Sequence, residues 1–151
     1  MGPDDAYTAL RGLRSLKTRM DAHEAAGLRI ANWLSERPEV CQVLHPALEQ
    51  HPDHVIWKRD FTGSNGLFSV ILNTVSPEGL KRFFDALELF SMGFSWGGFE
   101  SLIIPCDPQL KRSKGHWIDQ KVGPLLRIHV GLETVDDLIA DLRAGFEAMG
   151  E

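Results

Sequence analysis

Cysteine is scarce in this chain of 151 residues: Cys41 and Cys106 are its only two, far apart and outside any paired motif. That excludes a disulfide-stapled secreted scaffold, and a reduced, cytoplasmic setting is the expectation. Long apolar runs are missing as well. The longest near-apolar stretch, Gly66 to Leu72, is far too short to cross a bilayer, so no membrane partner is expected. The N-terminus carries Asp4 and Asp5 and lacks the basic-then-apolar order of a signal peptide. Charge of one sign is not concentrated anywhere. A net charge of −5 with acids and bases interleaved argues against nucleic acid or an anionic membrane surface as partner. No glycine-rich nucleotide loop, no serine–histidine–acid order and no internal repeat occurs. With 43% apolar and 25% charged residues, the chain has the composition and length of one globular domain.

The apolar pattern orders the elements. Asp4 and Asp5 after Gly2-Pro3 favour a helix start. Leu13, Leu16, Met20, His23, Gly27, Ile30 and Leu34 then advance by three or four residues, a stripe that predicts one continuous helix ending before Pro38. A helix of roughly 30 residues is long for so small a domain and reads as a connector between two bodies. His23 and Gly27 weaken its centre, as if another element packs there. Val40 to Leu44 is a short strand, and residues 45–66 read as a loop with room for one helical turn. Leu67 to Asn73 alternates with Phe68, Val70 and Leu72 on one face, the mark of a half-buried strand. Ser76-Pro77 gives an N-cap and a first-turn proline, followed by Leu80, Phe83, Phe84 and Leu87 on one helical face. Ser101 to Ile104 and Leu125 to Val130 are further strands, the latter with Arg127 and His129 opposite its apolar face. A last helix buries Val135, Leu138, Ile139, Leu142 and Phe146. The expected class is α+β: a long N-terminal helix, then a small antiparallel sheet of three to four strands covered by helices on one face.

Between these elements lies Phe94-Ser95-Trp96-Gly97-Gly98-Phe99-Glu100-Ser101-Leu102. Glycines let backbone pass close to a ligand, and Trp96 adds a large apolar surface with one N–H. Arg127, mid-strand between Leu126 and Ile128, is either a surface strand residue or a guanidinium fork for a carboxylate, where planar bidentate geometry favours arginine. Cys41, His45, His51 and His54 are the one group of metal-ligand types, but their spacing matches no standard zinc pattern, so no metal is expected. His116 and His129 stand alone. Cys106 before Asp107-Pro108 has no basic neighbour in sequence to activate it.

Four colinear segments carry a resemblance: Arg11-Gly12-Leu13-Arg14-Ser15-Leu16, Trp57-Lys58-Arg59-Asp60-Phe61-Thr62-Gly63, Phe94 to Leu102, and Arg127-Ile128-His129-Val130-Gly131-Leu132-Glu133. Together they resemble the carboxy-terminal part of the Cys/Met metabolism family of pyridoxal-phosphate-dependent enzymes, over essentially all 151 residues. Trp96 directly after Ser95 and His129 in the last strand are similar to the family's cystathionine β-lyase branch. Relatives acting at Cγ usually carry leucine at the first of these places, and most of the wider family carries serine at the second. Phe94 departs from a tyrosine found in some β-lyases.

The resemblance implies the small C-terminal domain of a fold-type I enzyme, with residues 1–36 as the connecting helix and 37–151 as the domain proper. It implies that Arg127 binds the substrate α-carboxylate, assisted by Ser95 and Trp96. The reaction would be α,β-elimination from an L-cysteine S-conjugate such as cystathionine, giving homocysteine, pyruvate and ammonia in methionine biosynthesis. Family members hold pyridoxal 5'-phosphate through a lysine in a Ser-x-x-Lys-Tyr-like context. None of Lys17, Lys58, Lys81, Lys111, Lys114 or Lys121 lies in one. No catalytic residue, no covalently bound cofactor and no activity are therefore expected of this chain alone. The cofactor domain, of about 240 residues by typical domain size, would be the missing partner. Family members assemble as tetramers, and the uncovered helix face here is expected to self-associate. The alternative is a non-catalytic interaction or carboxylate-binding module derived from the same family.

Overall fold

The computed structural model describes residues 2–111 and 123–150. Lys114, His116, Lys121 and most of the polar stretch before Pro124 lie outside the described residues. Helix α1 spans Pro3–Arg14, with acids in its first turn, arginines in its last, and the Gly2 N–H donating to Asp5 Oδ2 at 3.0 Å. Helix α2 spans Leu16–Ser35. The single long helix expected from the apolar stripe is thus two helices. Ser15 leaves helical geometry at φ −100°, ψ 0°, where its Oγ donates to the Gly12 carbonyl at 3.2 Å. Arg19 Nη2 donates to the same carbonyl at 2.9 Å. A continuous helix would pair that carbonyl with the Leu16 N–H. A weak helix former at Gly12 and a competing hydroxyl at Ser15 open the break.

The stripe itself is real, but only its second half meets a core. His23, Ala26, Gly27, Ile30, Ala31 and Leu34 are buried, while Leu13, Leu16 and Met20 stay exposed and no residue of α1 is buried. Gly27 has a packing reason: a Cβ there would sit 2.9 Å from the Asn65 carbonyl oxygen, so any side chain would push α2 off the 65–66 segment.

Strands β1 (Val40–Leu44), β2 (Leu67–Leu72), β3 (Leu102–Pro105) and β4 (Leu125–His129) form an antiparallel sheet in the order β1-β2-β4-β3. Helix α3 (His54–Asp60) is the helical turn anticipated between β1 and β2. Helix α4 spans Pro77–Asp85, capped by Ser76 Oγ accepting from the Gly79 N–H at 3.0 Å, and α5 spans Val135–Gly150. In the β2–β4 register Phe68 opposes Ile128 and Val70 opposes Leu126, so one sheet face is continuous and apolar. Against it pack Ile30, Ala31 and Leu34 of α2, Phe83 of α4, and Leu138, Leu142 and Phe146 of α5. The fold is α+β, with α2, α4 and α5 gathered on that face. The opposite face of β4 carries Arg127, between Ser69 and Ile104, and His129, between Leu67 and Leu102.

Candidate functional site

The glycine-rich run is a loop closed at its base. Ser91 bridges Leu102 in parallel fashion, through Ser91 N–H to the Ser101 carbonyl at 3.1 Å and Ile103 N–H to the Ser91 carbonyl at 3.0 Å. Residues between these anchors make no ladder of their own. They are held instead by side chains from β4 and the turn after it, and by the Leu132 N–H donating to the Phe99 carbonyl at 2.8 Å. Arg127 Nη2 donates to the carbonyls of Gly93 (3.3 Å), Phe94 (2.8 Å) and Ser95 (3.2 Å). Ser101 N–H and Oγ donate to the two Glu133 carboxylate oxygens at 2.7 and 2.8 Å, and the same Oγ accepts from the Gly131 N–H at 2.8 Å. Buried polar groups need such partners, and Ser101 is fully buried.

Between those two anchors stands His129. Gly97 N–H lies 3.4 Å from Nδ1 and 3.1 Å from Nε2, and Nε2 is 3.2 Å from the Gly98 carbonyl. A neutral ring protonated on Nε2 serves both glycines, donating to Gly98 and accepting from Gly97 at Nδ1. Gly97 takes φ +78°, a left-handed geometry that favours glycine. Behind His129, with ring centroids 5.3 Å apart, is His23 of α2, whose Nδ1–H donates to the Val130 carbonyl at 2.8 Å. Both histidines are almost wholly buried. The two centres flagged as weak in the helix stripe therefore meet the site's rear wall (His23) and its flank (Gly27).

Of the residues expected to form the site, the structure brings Arg127 and Ser95 together through the Ser95 carbonyl. Trp96 is 63% exposed and lines a neighbouring cleft of about 280 Å³ with Leu16, Met20, His23, Leu67 and His129. Arg127 and Ser95 do not line it. No hydrogen bond among the described residues uses Arg127 Nε or Nη1, so single N–H groups on these two nitrogens are open to an incoming acceptor, while each bidentate edge of the guanidinium includes the occupied Nη2. Sequence reading assigned no role to Ser101, Glu133 or His23 and left that of His129 open. Glu133, Ser101 and His129 lie inside the quoted motifs, which was the one available signal.

The remaining candidates do other work. His45, His51 and His54 each use Nδ1 on backbone, at Ala47 N–H, Asp53 N–H and the Pro46 carbonyl. Among the described residues no group of three or more His, Cys, Asp and Glu could hold a metal ion. Burial pushes the Cys106 thiol up, partly opposed by the nearby Arg127 charge, so the thiolate nucleophile is disfavoured. Among the described residues no helix is long and apolar enough to cross a membrane.

Burial also pushes His129 below its ordinary pKa. The Gly98 carbonyl opposes this, and His23 adds to it. His45 is lowered as well, first by burial. A base with a depressed folded-state pKa binds its proton better when unfolded. Its contribution to stability is complete above the unfolded value of about 6.5 and is lost as pH falls through the lower folded value. The urea midpoint is therefore expected to drop on acidification from about pH 7.5 to about pH 5, and to drop less in a His45→Gln, His129→Gln double variant. An equal drop in both proteins would show that neither imidazole is protected.

The sequence model of the family described as "Cys/Met metabolism PLP-dependent enzyme" matches residues 1–147. A cystathionine β-lyase of Salmonella typhimurium is 50% identical over 145 residues, covering 95% of this chain and 37% of that protein. An L-alanine/L-glutamate racemase of Wolbachia pipientis wMel is 42% identical over 141 residues, covering 93% and 35%. Among solved structures, a cystathionine γ-synthase from Xanthomonas oryzae pv. oryzae in complex with cystathionine matches with a TM-score of 0.85 and 32% identity, covering 99% of this chain and 39% of that one. The chain thus spans little more than a third of the length of these relatives. Lys17 and Lys81 are surface ion-pair partners of Asp21 and Asp85, and no lysine lines the Trp96 cleft among the described residues. With the family's sequence model spanning all but the last few residues, and the fold shared with a solved relative, this chain belongs to the Cys/Met metabolism family of pyridoxal-phosphate-dependent enzymes.

Proposed function

We propose that this segment supplies the substrate α-carboxylate clamp of a carbon–sulfur lyase of the cystathionine β-lyase type. The observation that carries it is the state of Arg127. One nitrogen is tied to three consecutive loop carbonyls, while Nε and Nη1 remain open. A guanidinium fixed by one nitrogen, with N–H groups free on the other two, is pre-positioned for a carboxylate, so little side-chain order is lost on binding; a two-point grip would share Nη2 with the loop carbonyls. Ser95 and Trp96 border the same loop and would limit how the amino acid enters. When bound, pyridoxal phosphate supplies the electron sink for cleavage at Cβ. Arg127 contributes orientation, fixing the amino acid against that sink.

On this reading residues 1–36 connect to a cofactor domain and residues 37–151 form the small domain. The exposed apolar face of Tyr7, Leu10, Leu13, Leu16 and Met20 is then the ground for contact with that domain or, alone, for self-association. The racemase relative favours a second reading, the same clamp serving a different reaction at Cα.

The test replaces the matching segment of the Salmonella β-lyase with residues 1–147 and measures pyruvate and homocysteine release from cystathionine. Elimination by the graft is expected. A folded, cofactor-loaded graft that interconverts amino-acid enantiomers without releasing pyruvate would move the assignment to the second reading. The 151-residue chain alone, treated with pyridoxal phosphate and borohydride, is expected to yield no stoichiometric adduct on any one lysine.

A further inference from the structure

We propose that His129 is a positioning residue. Through Gly97 and Gly98 it clips the middle of the 92–101 loop to β4 and so sets where Trp96 stands relative to Arg127. The proposal draws its functional meaning from the carboxylate reading of Arg127 above.

Three observations converge on it. First, the loop has an anchor at each end, Arg127 on Gly93 to Ser95 and Glu133 on Ser101, and His129 is the side chain that reaches its centre. Without it, Trp96 to Glu100 would span the gap with no side-chain anchor from β4. Second, the clip acts on backbone at a place where the chain is least self-supporting. Gly97 lies at φ +78° with no atom within 4 Å of where its Cβ would be, so no packing of its own fixes it. Third, the ring is built in from behind. His23 packs against it at 5.3 Å and is itself fixed by Nδ1–H to the Val130 carbonyl, so the imidazole of His129 cannot swing away from the loop into the sheet. Both rings are buried, and His129 shares the Trp96 cleft, which places the clip beside the indole it would steer. A serine or alanine at this position is too short to reach Gly97 and Gly98. The loop would then keep its two ends and the Leu132 N–H to Phe99 carbonyl bond at 2.8 Å, and lose the clip at Gly97 and Gly98 beside Trp96.

The test needs no ligand. In the 15N-labelled 151-residue chain, the His129 ring is expected as the neutral tautomer protonated on Nε2, and the Gly97 amide as protected from hydrogen exchange. His129→Ala is expected to raise the Gly97 exchange rate at least tenfold and to shift the Trp96 indole N–H resonance. The Ile128 amide, paired inside the sheet, should keep its protection. His129→Gln, which can still donate and accept at similar reach, should restore much of the Gly97 protection and the indole shift. An unprotected Gly97 amide in the unaltered chain overturns the proposal without any variant. So does a Gly97 rate that His129→Ala leaves unchanged, or equal behaviour of the Ala and Gln variants. Because the readout is loop position alone, a failed carboxylate clamp leaves this result standing, and a failed clip leaves the Arg127 result standing.

Discussion

Arg127→Ala, introduced into the Salmonella β-lyase graft that carries residues 1–147, is expected to lower kcat/KM for cystathionine by at least roughly tenfold. A charged hydrogen-bond pair is worth about 1.5–3 kcal/mol, and each 1.4 kcal/mol is a factor of ten, which sets the lower bound. The bound is a floor because Arg127 has two tasks. On the clamp reading its free N–H groups on Nε and Nη1 meet the substrate carboxylate, and its Nη2 fixes the carbonyls of Gly93, Phe94 and Ser95. Alanine removes the acceptor's partner and releases the loop at once. Lysine separates the two tasks only poorly: its single ammonium cannot hold three loop carbonyls on one nitrogen and offer N–H groups to an acceptor from others. Arg127→Lys should therefore lie much nearer to alanine than to the parent enzyme. Steady-state kinetics over a range of cystathionine concentrations reads both. A full-length Arg127→Ala enzyme with kcat/KM within twofold of the parent would remove the clamp assignment.

How much of this was legible in the sequence depends on the range of the forces involved. Strand β2 and helix α4 were readable because their signals are local: alternation through Phe68, Val70 and Leu72, and a serine cap before Pro77. The same holds for β1 and β4, whose limits follow the apolar pattern closely. The break at Ser15 was not readable from periodicity, since the apolar stripe runs across it without a fault. Only the hydroxyl's competition for the Gly12 carbonyl reveals it. Arg127 could be suspected because a guanidinium mid-strand is unusual chemistry. His129 could not be ranked above any other lone histidine. Its importance lies in a meeting of β4, α2 and the loop, elements far apart in sequence, and no spacing rule encodes that meeting. Glu133 is similar, an ordinary surface acid by sequence that reaches back to a buried serine.

Asp141→Ala is expected to cause the largest loss of stability of any single polar substitution among the described residues, about 2–4 kcal/mol. By sequence this acid looks like part of the solvent face of α5. In the structure it is buried, and its carboxylate accepts from three consecutive backbone N–H groups: Glu88 at 2.7 Å, Leu89 at 3.0 Å and Phe90 at 2.9 Å. Those donors belong to the segment that leaves α4, where no sheet or helix partner is available to them. The Phe90 bond is buried and those of Glu88 and Leu89 are partly so; leaving a buried donor unpaired costs about 1–3 kcal/mol, and water reaching the other two would recover part of theirs, hence an expected total below the simple sum. Against the roughly 5–15 kcal/mol of a typical domain, such a loss is a large share. Asp141→Asn keeps one acceptor oxygen and should fall between the parent and alanine. Urea unfolding followed by circular dichroism checks the order: the midpoint should fall from parent to asparagine to alanine at nearly constant slope. A loss under about 1 kcal/mol for alanine would mean that the three N–H groups find other acceptors without cost. The consequence would reach the site as well. Phe90 precedes Ser91, whose bridge to Leu102 closes the base of the loop. Loosening that segment frees the loop from below, while Arg127 and His129 can hold it only from the side of β4.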